Sequence, residues 1–262
     1  MPLSESDLLD LARARHLLEH PGIAARIAGI AGKPIERTLA ALPDRVSSVI
    51  DEIARRSIGK ALDVAVKTMD PTRPAAAADW WHKLAAGASG AAGGAFGMAG
   101  LAVELPISTT IMLRSIADIA RSQGEDLKTP ESRLECLHVL ALGGSSKADD
   151  ATDAGYFASR AALAQAIASA SQYLAQHGTA KGSAPVLVRL ISEVASRFSI
   201  AVSEKALAQA VPMIGAIGGG AINALFIDHF QDMGRGHFTV RRLERAHGTE
   251  AVREAYLALP RR

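Results

Sequence analysis

Two long segments of this chain contain no charged residue, and they constrain its possible folds more than any other feature. The first covers residues 84–103 and the second covers residues 206–227. Glycine recurs every three or four positions in the first run, where Gly90 and Gly94 form a GxxxG pair. Small residues at this spacing share one face of a helix and let two helix backbones approach closely. The pattern predicts two apolar helices that pack in the interior.

The composition of the whole chain agrees with a helical fold. Of 262 residues, 51 are alanine and 23 are glycine, whereas aromatic residues make up only 4%. Alanine is the best helix former, and strand-like runs of β-branched and aromatic residues are missing. The apolar content excludes a disordered chain, and the single cysteine, Cys136, excludes a disulfide scaffold. We expect an all-α fold, a single helical domain of about 8–10 helices packed around two central Gly-rich apolar helices.

Helix start and stop signals divide the chain into segments. Amphipathic spacing and flanking proline or glycine predict helices over residues 4–20, 44–69, 131–142 and 156–177, another that starts at Pro185, and one or two over 238–259. Pro106 is predicted to end one apolar segment and open the next. We expect residues 1–43 to form an N-terminal helical extension, more loosely attached, and residues 44–262 to form the main helical domain.

The charge-free runs have two interpretations. A run of 18 or more uncharged residues is long enough to span a bilayer, but alanine and glycine contribute little to membrane insertion. A buried helix pair in a soluble domain would show the same pattern. Membrane contacts would come from aromatic residues before the first run and from basic residues near the C-terminus. These candidates are Trp80, Trp81, Lys83, Arg241, Arg242 and Arg245.

Polar residues within or beside the apolar segments are candidates for a ligand site. They are Glu104, Thr109, Thr110, Arg114, Asp118, Asn223, Asp228, His229 and His237. Arg114 and Asp118 are four positions apart and can pair on one helix face. Because a buried charge must be paired, the charged members predict either a structural ion-pair network or a site for a head group or peptide terminus. The two threonines could donate hydroxyl groups, although threonine in a helix often bonds its own backbone.

Motifs for known catalytic or metal chemistry are missing from the sequence. There is no HExxH, no paired CxxC, no Walker A loop and no GxSxG elbow. Asp228, His229, Asp232 and His237 are a cluster of metal-like residue types, but we expect His237 on a separate element beyond Gly234. We therefore predict no metal, no cofactor and no catalytic residue, and we expect Cys136 to be a core residue.

Two longer stretches resemble the EcsC family of bacterial proteins. Residues 104–144 carry a Pro-Ile-Ser-Thr-Thr segment, an Arg-Ser-Ile-Ala-Asp-Ile-Ala run and a Gly-Glu-Asp turn. Residues 211–248 carry Pro-x-x-Gly-Ala, Asn, Asp-His-Phe and His-Phe-x-x-Arg-x-Leu-Glu elements. With the Gly-rich lead-in, the resemblance covers roughly residues 44–257. It implies no catalytic residue. The Pro-x-x-Gly-Ala and Asn part is also similar to a helical, membrane-associated domain of some Era-like GTPases, which favours membrane association.

Three classes of function are compatible with these features. We favour a non-enzymatic protein that binds membrane, lipid or a membrane complex such as a transporter, since the family is named for a protein encoded beside an ABC transporter. The net charge of +2 does not indicate nucleic acid binding. The N-terminal sequence lacks a secretory signal and predicts a cytoplasmic protein. If the protein binds a membrane, we expect it at the inner face of the plasma membrane. The alternatives are a hydrolase-like enzyme and a self-associating helical scaffold. The enzyme would use Glu104, Arg114, Asp118 and His229 in one pocket.

Overall fold

The computed structural model describes residues 3–19, 44–68, 97–144, 155–177, 184–210 and 219–260. Within these ranges the chain is all-α, which confirms the predicted fold class, and it forms eight helices without a strand. The helices are α1 (Glu5–Glu19), α2 (Asp44–Thr68), α3 (Gly97–Ser122), α4 (Pro130–Leu142), α5 (Gly155–His177), α6 (Pro185–Ala210), α7 (Gly219–His247) and α8 (Thr249–Ala258). Much of both charge-free runs lies outside the described residues, so two central Gly-rich helices stay a prediction.

Most helix boundaries lie where local signals predict them. At the start of α4, the Thr129 hydroxyl accepts a hydrogen bond from the Ser132 N–H at 3.2 Å. Pro130 follows at the first helical position, where its missing N–H costs nothing. The predicted break at Pro106 is wrong, because α3 continues through this residue. Packing of the long apolar helix against its neighbours overrides the loss of one backbone hydrogen bond.

The prediction that His237 lies on a separate element is also wrong. Helix α7 continues through Gly234 and Gly236 to His247. A Cβ atom at Gly236 would lie 2.6 Å from Leu18 Cγ, in contact with α1. This glycine therefore permits a close approach between two helices and does not end one.

Helix α4 lies at the centre of the main core. Residues 134–141 are all buried, and the helix packs against α2, α3, α5, α6 and α7. Cys136 is a core residue as predicted, and its thiol donates to the Ser132 carbonyl at 3.3 Å. Because this helix is buried all round, its polar side chains Glu135 and His138 are also in the interior.

A second hydrophobic cluster attaches α1 to the C-terminal helices. Leu11 and Ala14 pack with buried residues of α7 and α8, among them Val252 and Tyr256. The Arg15 guanidinium donates to the Tyr256 carbonyl at 2.9 Å, which satisfies a carbonyl near the end of α8. Residues 20–43 lie outside the described ranges, so the predicted domain boundary after residue 43 stays a prediction.

Helices α3 and α7 are parallel neighbours. Near their N-termini, Lys205 of α6 joins Glu104 to Asn223. Further along, Gln231 donates to Ser115 at 2.8 Å. Just beyond α3, Arg241 of α7 pairs with Glu125 at 2.8 Å. We call the first region the Lys205 end and the last the Glu125 end; residues 223 and 241 are about 27 Å apart along α7.

Candidate functional site

A carboxylate and two imidazoles meet in the interior between α4 and α7. Glu135 Oε2 lies 3.1 Å from His138 Nδ1 and 3.0 Å from His237 Nε2. Glu135 and His138 are three positions apart on α4 and therefore share a face. We call Glu135, His138 and His237 the Glu-His-His cluster; all three are buried.

Two neighbouring side chains orient this cluster. The Tyr156 hydroxyl lies 3.0 Å from His237 Nδ1, on the opposite side of the ring from Glu135. Arg241 Nη1 lies 3.3 Å from Glu135 Oε1, the carboxylate oxygen that does not face the histidines. A neutral His237 that donates from Nε2 to Glu135 accepts the Tyr156 O–H at Nδ1, so both ring nitrogens have partners.

The environment of the cluster keeps the Glu135 carboxylate ionised and the His237 imidazole neutral. Burial lowers the pKa of His237 to about 4, an effect that outweighs the attraction of Glu135. Burial alone would raise the pKa of Glu135, but hydrogen bonds from His138 and His237 hold it well below its usual value. Burial raises the pKa of the Tyr156 hydroxyl, which therefore stays a donor. The cluster is thus a carboxylate beside a neutral imidazole.

The arginines predicted to contact lipid form ion pairs within the protein at the Glu125 end. Glu125 accepts hydrogen bonds from Arg241 at 2.8 Å and from Arg245. Arg242 pairs with Asp10 of α1 at 2.7 Å. The other predicted membrane contacts, Trp80, Trp81 and Lys83, lie outside the described residues. Contact of these six residues with lipid stays a prediction.

Two predicted polar residues meet at a lysine that sequence reasoning missed. The Lys205 ammonium lies 2.8 Å from both Glu104 carboxylate oxygens and donates to Asn223 Oδ1 at 2.9 Å. Lys205 is fully buried, and its nitrogen lies 4.5 Å from the Phe226 ring centroid. Burial lowers the pKa of Lys205, although Glu104 opposes this effect. Glu104 immediately follows the first charge-free run, and Lys205 immediately precedes the second. This symmetry is the sequence signal that could have predicted their pairing.

The other predicted polar residues do not join Glu104 in one pocket. Thr109 and Thr110 donate to the carbonyl oxygens of Leu105 and Pro106 within their own helix. Asp118 is exposed and pairs with Arg121. Along α3, residues 104 and 118 are about 21 Å apart, with Arg114 between them. One small substrate could not contact both carboxylates.

The predicted polar residues of α7 also have separate environments. His229 is buried and donates from Nε2 to the Gly143 carbonyl at 2.9 Å. Asp228 is exposed. His237, eight positions after His229, is the one member of the predicted set that belongs to the Glu-His-His cluster.

Sequence reasoning missed Glu135 and His138 although a short signal was present. Glu-x-x-His is a spacing by which two ligating side chains project from one helix. Its partner His237 is 99 positions beyond His138. No local pattern connects residues at that separation.

One described helical segment could span a membrane by length and composition. It covers Gly100–Ser122, and 56% of its most apolar window is buried within the protein. Such burial is also typical of the core helices of soluble proteins. The segment is therefore weak evidence for a membrane span.

Comparison with known families decides the classification. Residues 9–243 match the model of the EcsC protein family. The chain belongs to the EcsC family. No curated protein and no solved structure matches it.

The fold of this EcsC protein brings the two resembling stretches into contact. The His-Phe-x-x-Arg-x-Leu-Glu element supplies His237 to Glu135 and Arg241 to Glu125. Glu125 belongs to the Gly-Glu-Asp turn of the first stretch. These polar elements are thus joined in one interior network.

Proposed function

We propose that this EcsC protein is a non-enzymatic, membrane-associated protein that contacts the cytoplasmic face of a bilayer through its Lys205 end. The observation that carries the proposal is the exposure of Val103. At 68%, it is the most exposed large apolar side chain in the part of the chain that the structure describes. It is also the last residue of the first charge-free run. An exposed apolar side chain beside a long apolar segment supports contact with lipid.

The Glu104–Lys205 ion pair supports a single contact region. Glu104 directly follows the run over 84–103, and Lys205 directly precedes the run over 206–227. Because these two residues pair at 2.8 Å, both runs connect to the bundle at the same end. The described residues that adjoin this pair, Val103 and Ala206, therefore lie at one end of the bundle.

The charge distribution supports the same orientation. Glu104 neutralises Lys205 at the Lys205 end, whereas several charged side chains are concentrated at the Glu125 end. Moving charged groups into hydrocarbon is far more costly than leaving them in water. In this orientation the Glu125 end, about 27 Å away along α7, faces the aqueous phase. The proposal therefore keeps Trp80, Trp81 and Lys83 as lipid contacts and not Arg241, Arg242 and Arg245.

Liposome flotation of a matched pair of variants tests this proposal. Val103→Glu places a charge at the proposed contact, and Val188→Glu places the same charge on α6, where Val188 is 50% exposed. With vesicles of phosphatidylcholine and phosphatidylglycerol, we expect the wild type and Val188→Glu to float. Val103→Glu should partition about tenfold less into the lipid fraction. Circular dichroism checks that both variants are folded.

Two results would contradict lipid contact at this end. One is a wild-type protein that stays in the soluble fraction and carries no lipid after purification without detergent. The other is an equal loss of flotation in both variants. A protein that floats only with native membranes would indicate a membrane protein complex as the partner instead of lipid.

A further inference from the structure

We propose that the Glu-His-His cluster is a binding site for a divalent transition metal ion, with Zn²⁺ the best match. Two imidazole nitrogens and one carboxylate oxygen lie within 4.8 Å of one another. This donor set is one that zinc uses in proteins, with bonds of about 2.0–2.2 Å. The inference is independent of the proposed membrane contact, which involves neither α4 nor His237.

Two of the three donor–donor distances in the cluster are close to those that a bound ion requires. Ligands of a tetrahedral ion with bonds of about 2.1 Å lie about 3.4 Å apart. Glu135 Oε2 lies 3.0 Å and 3.1 Å from the two imidazole nitrogens. At these two pairs, shifts of a few tenths of an ångström and a change of imidazole tautomer would convert hydrogen-bond geometry into ligand geometry. The two imidazole nitrogens, which lie within 4.8 Å of each other, complete the set.

The neighbouring side chains have the geometry of a supporting shell. Metal-bound histidines hold their orientation through a hydrogen bond at the other ring nitrogen. Tyr156 lies at this position, 3.0 Å from His237 Nδ1. With an ion at Nε2, the Nδ1–H would donate to the Tyr156 oxygen, which reverses the direction of this hydrogen bond in the metal-free protein. Arg241 contacts Glu135 Oε1 and leaves Oε2 to face the histidines. Because all members are buried, the site is structural, and a bound ion would link α4 to α7.

Metal titration of the full, untagged chain tests the proposal. After treatment with EDTA, the protein is incubated with Zn²⁺ or Co²⁺, and the metal content is measured by mass spectrometry. We expect about one ion per chain and a rise in Tm on addition of Zn²⁺. His138→Gln and His237→Gln should weaken binding by more than about tenfold. His229→Gln is the matched control, because His229 is also buried on α7 but bonds Gly143.

X-ray absorption spectroscopy of the Zn²⁺-loaded wild type identifies the ligand atoms directly, so the proposal can be tested even if a variant fails to fold. We expect nitrogen and oxygen ligands with the signature of two imidazoles. Binding of neither ion by the wild type would overturn the proposal. So would equal binding by folded His138→Gln and His237→Gln, or a sulfur ligand from Cys136.

Discussion

At the scale of single residues, burial determines how much an ion pair with Arg241 contributes. Glu125 is buried and accepts hydrogen bonds from Arg241, Arg245 and Ser132. Glu131 lies 3.7 Å from the same arginine, but its side chain is 62% exposed. Burial would raise the pKa of Glu125, yet the hydrogen bonds and charges of its partners keep that pKa below the ordinary value of 4.5. The two glutamates therefore form a natural comparison.

We expect Glu125→Gln to lower the free energy of unfolding by about 3 kcal/mol at pH 7, because it removes one partner of a buried charge pair. Glu131→Gln should cost less than about 1 kcal/mol, since exposed pairs contribute little. Urea denaturation of both variants and the wild type measures the difference. Equal losses would contradict the interpretation.

The pH dependence of stability gives a further measurement on the same variant. The pKa of Glu125 is lower in the folded protein than in the unfolded chain. Its stabilisation is therefore fully present above pH 4.5 and is lost as the pH falls through the folded pKa. The wild type should lose stability more steeply than Glu125→Gln over this acidic range.

At the scale of helices, two glycines differ in what surrounds them. Gly144 follows α4, and a Cβ atom there would overlap the carbonyl oxygen of Arg197 in α6. Gly59 lies within α2, where the nearest atom to an added Cβ would be Ile191 Cδ1 at 3.9 Å. The first glycine permits close packing of two elements, whereas the second only weakens its own helix.

We therefore expect opposite effects from the same substitution. Gly144→Ala should destabilise the fold by about 1–3 kcal/mol, because backbone atoms would have to move. Gly59→Ala should stabilise it by about 0.5–1 kcal/mol through higher helix propensity. Chemical denaturation measures both. A stabilising effect of Gly144→Ala would show that α4 and α6 are not in such close contact.

At the scale of the whole molecule, the attachment of α1 decides whether the N-terminal region belongs to the main domain. Leu11 is fully buried against α7 and α8, whereas Leu9 is 57% exposed on the same helix. Leu11→Ala should lower the free energy of unfolding by about 2–5 kcal/mol. Leu9→Ala should change it by less than about 0.5 kcal/mol. Two equally small effects would support a loosely attached extension that unfolds separately.

Local sequence signals determined the helical elements. Alanine content and apolar periodicity predict the all-α class, and the predicted start at Pro185 agrees with α6. Thr129 and Pro130 predict the start of α4 because capping depends on residues within one helical turn. These features could be predicted because each is a property of a short segment.

Only the tertiary structure decided which polar residues meet. Lys205 is 101 positions from Glu104, and His237 is 102 positions from Glu135, so helix packing alone determines these pairs. Gly236 is a further example. The local sequence predicts that a helix ends near this glycine, whereas in the structure the glycine lets α7 contact α1. Helix propensity acts over a few residues, whereas burial and ion pairing depend on which helices become neighbours. The sequence by itself therefore determined the helical class and most helix starts. Helix packing determined the continuity of α3 and α7, the Glu-His-His cluster and the Lys205 end.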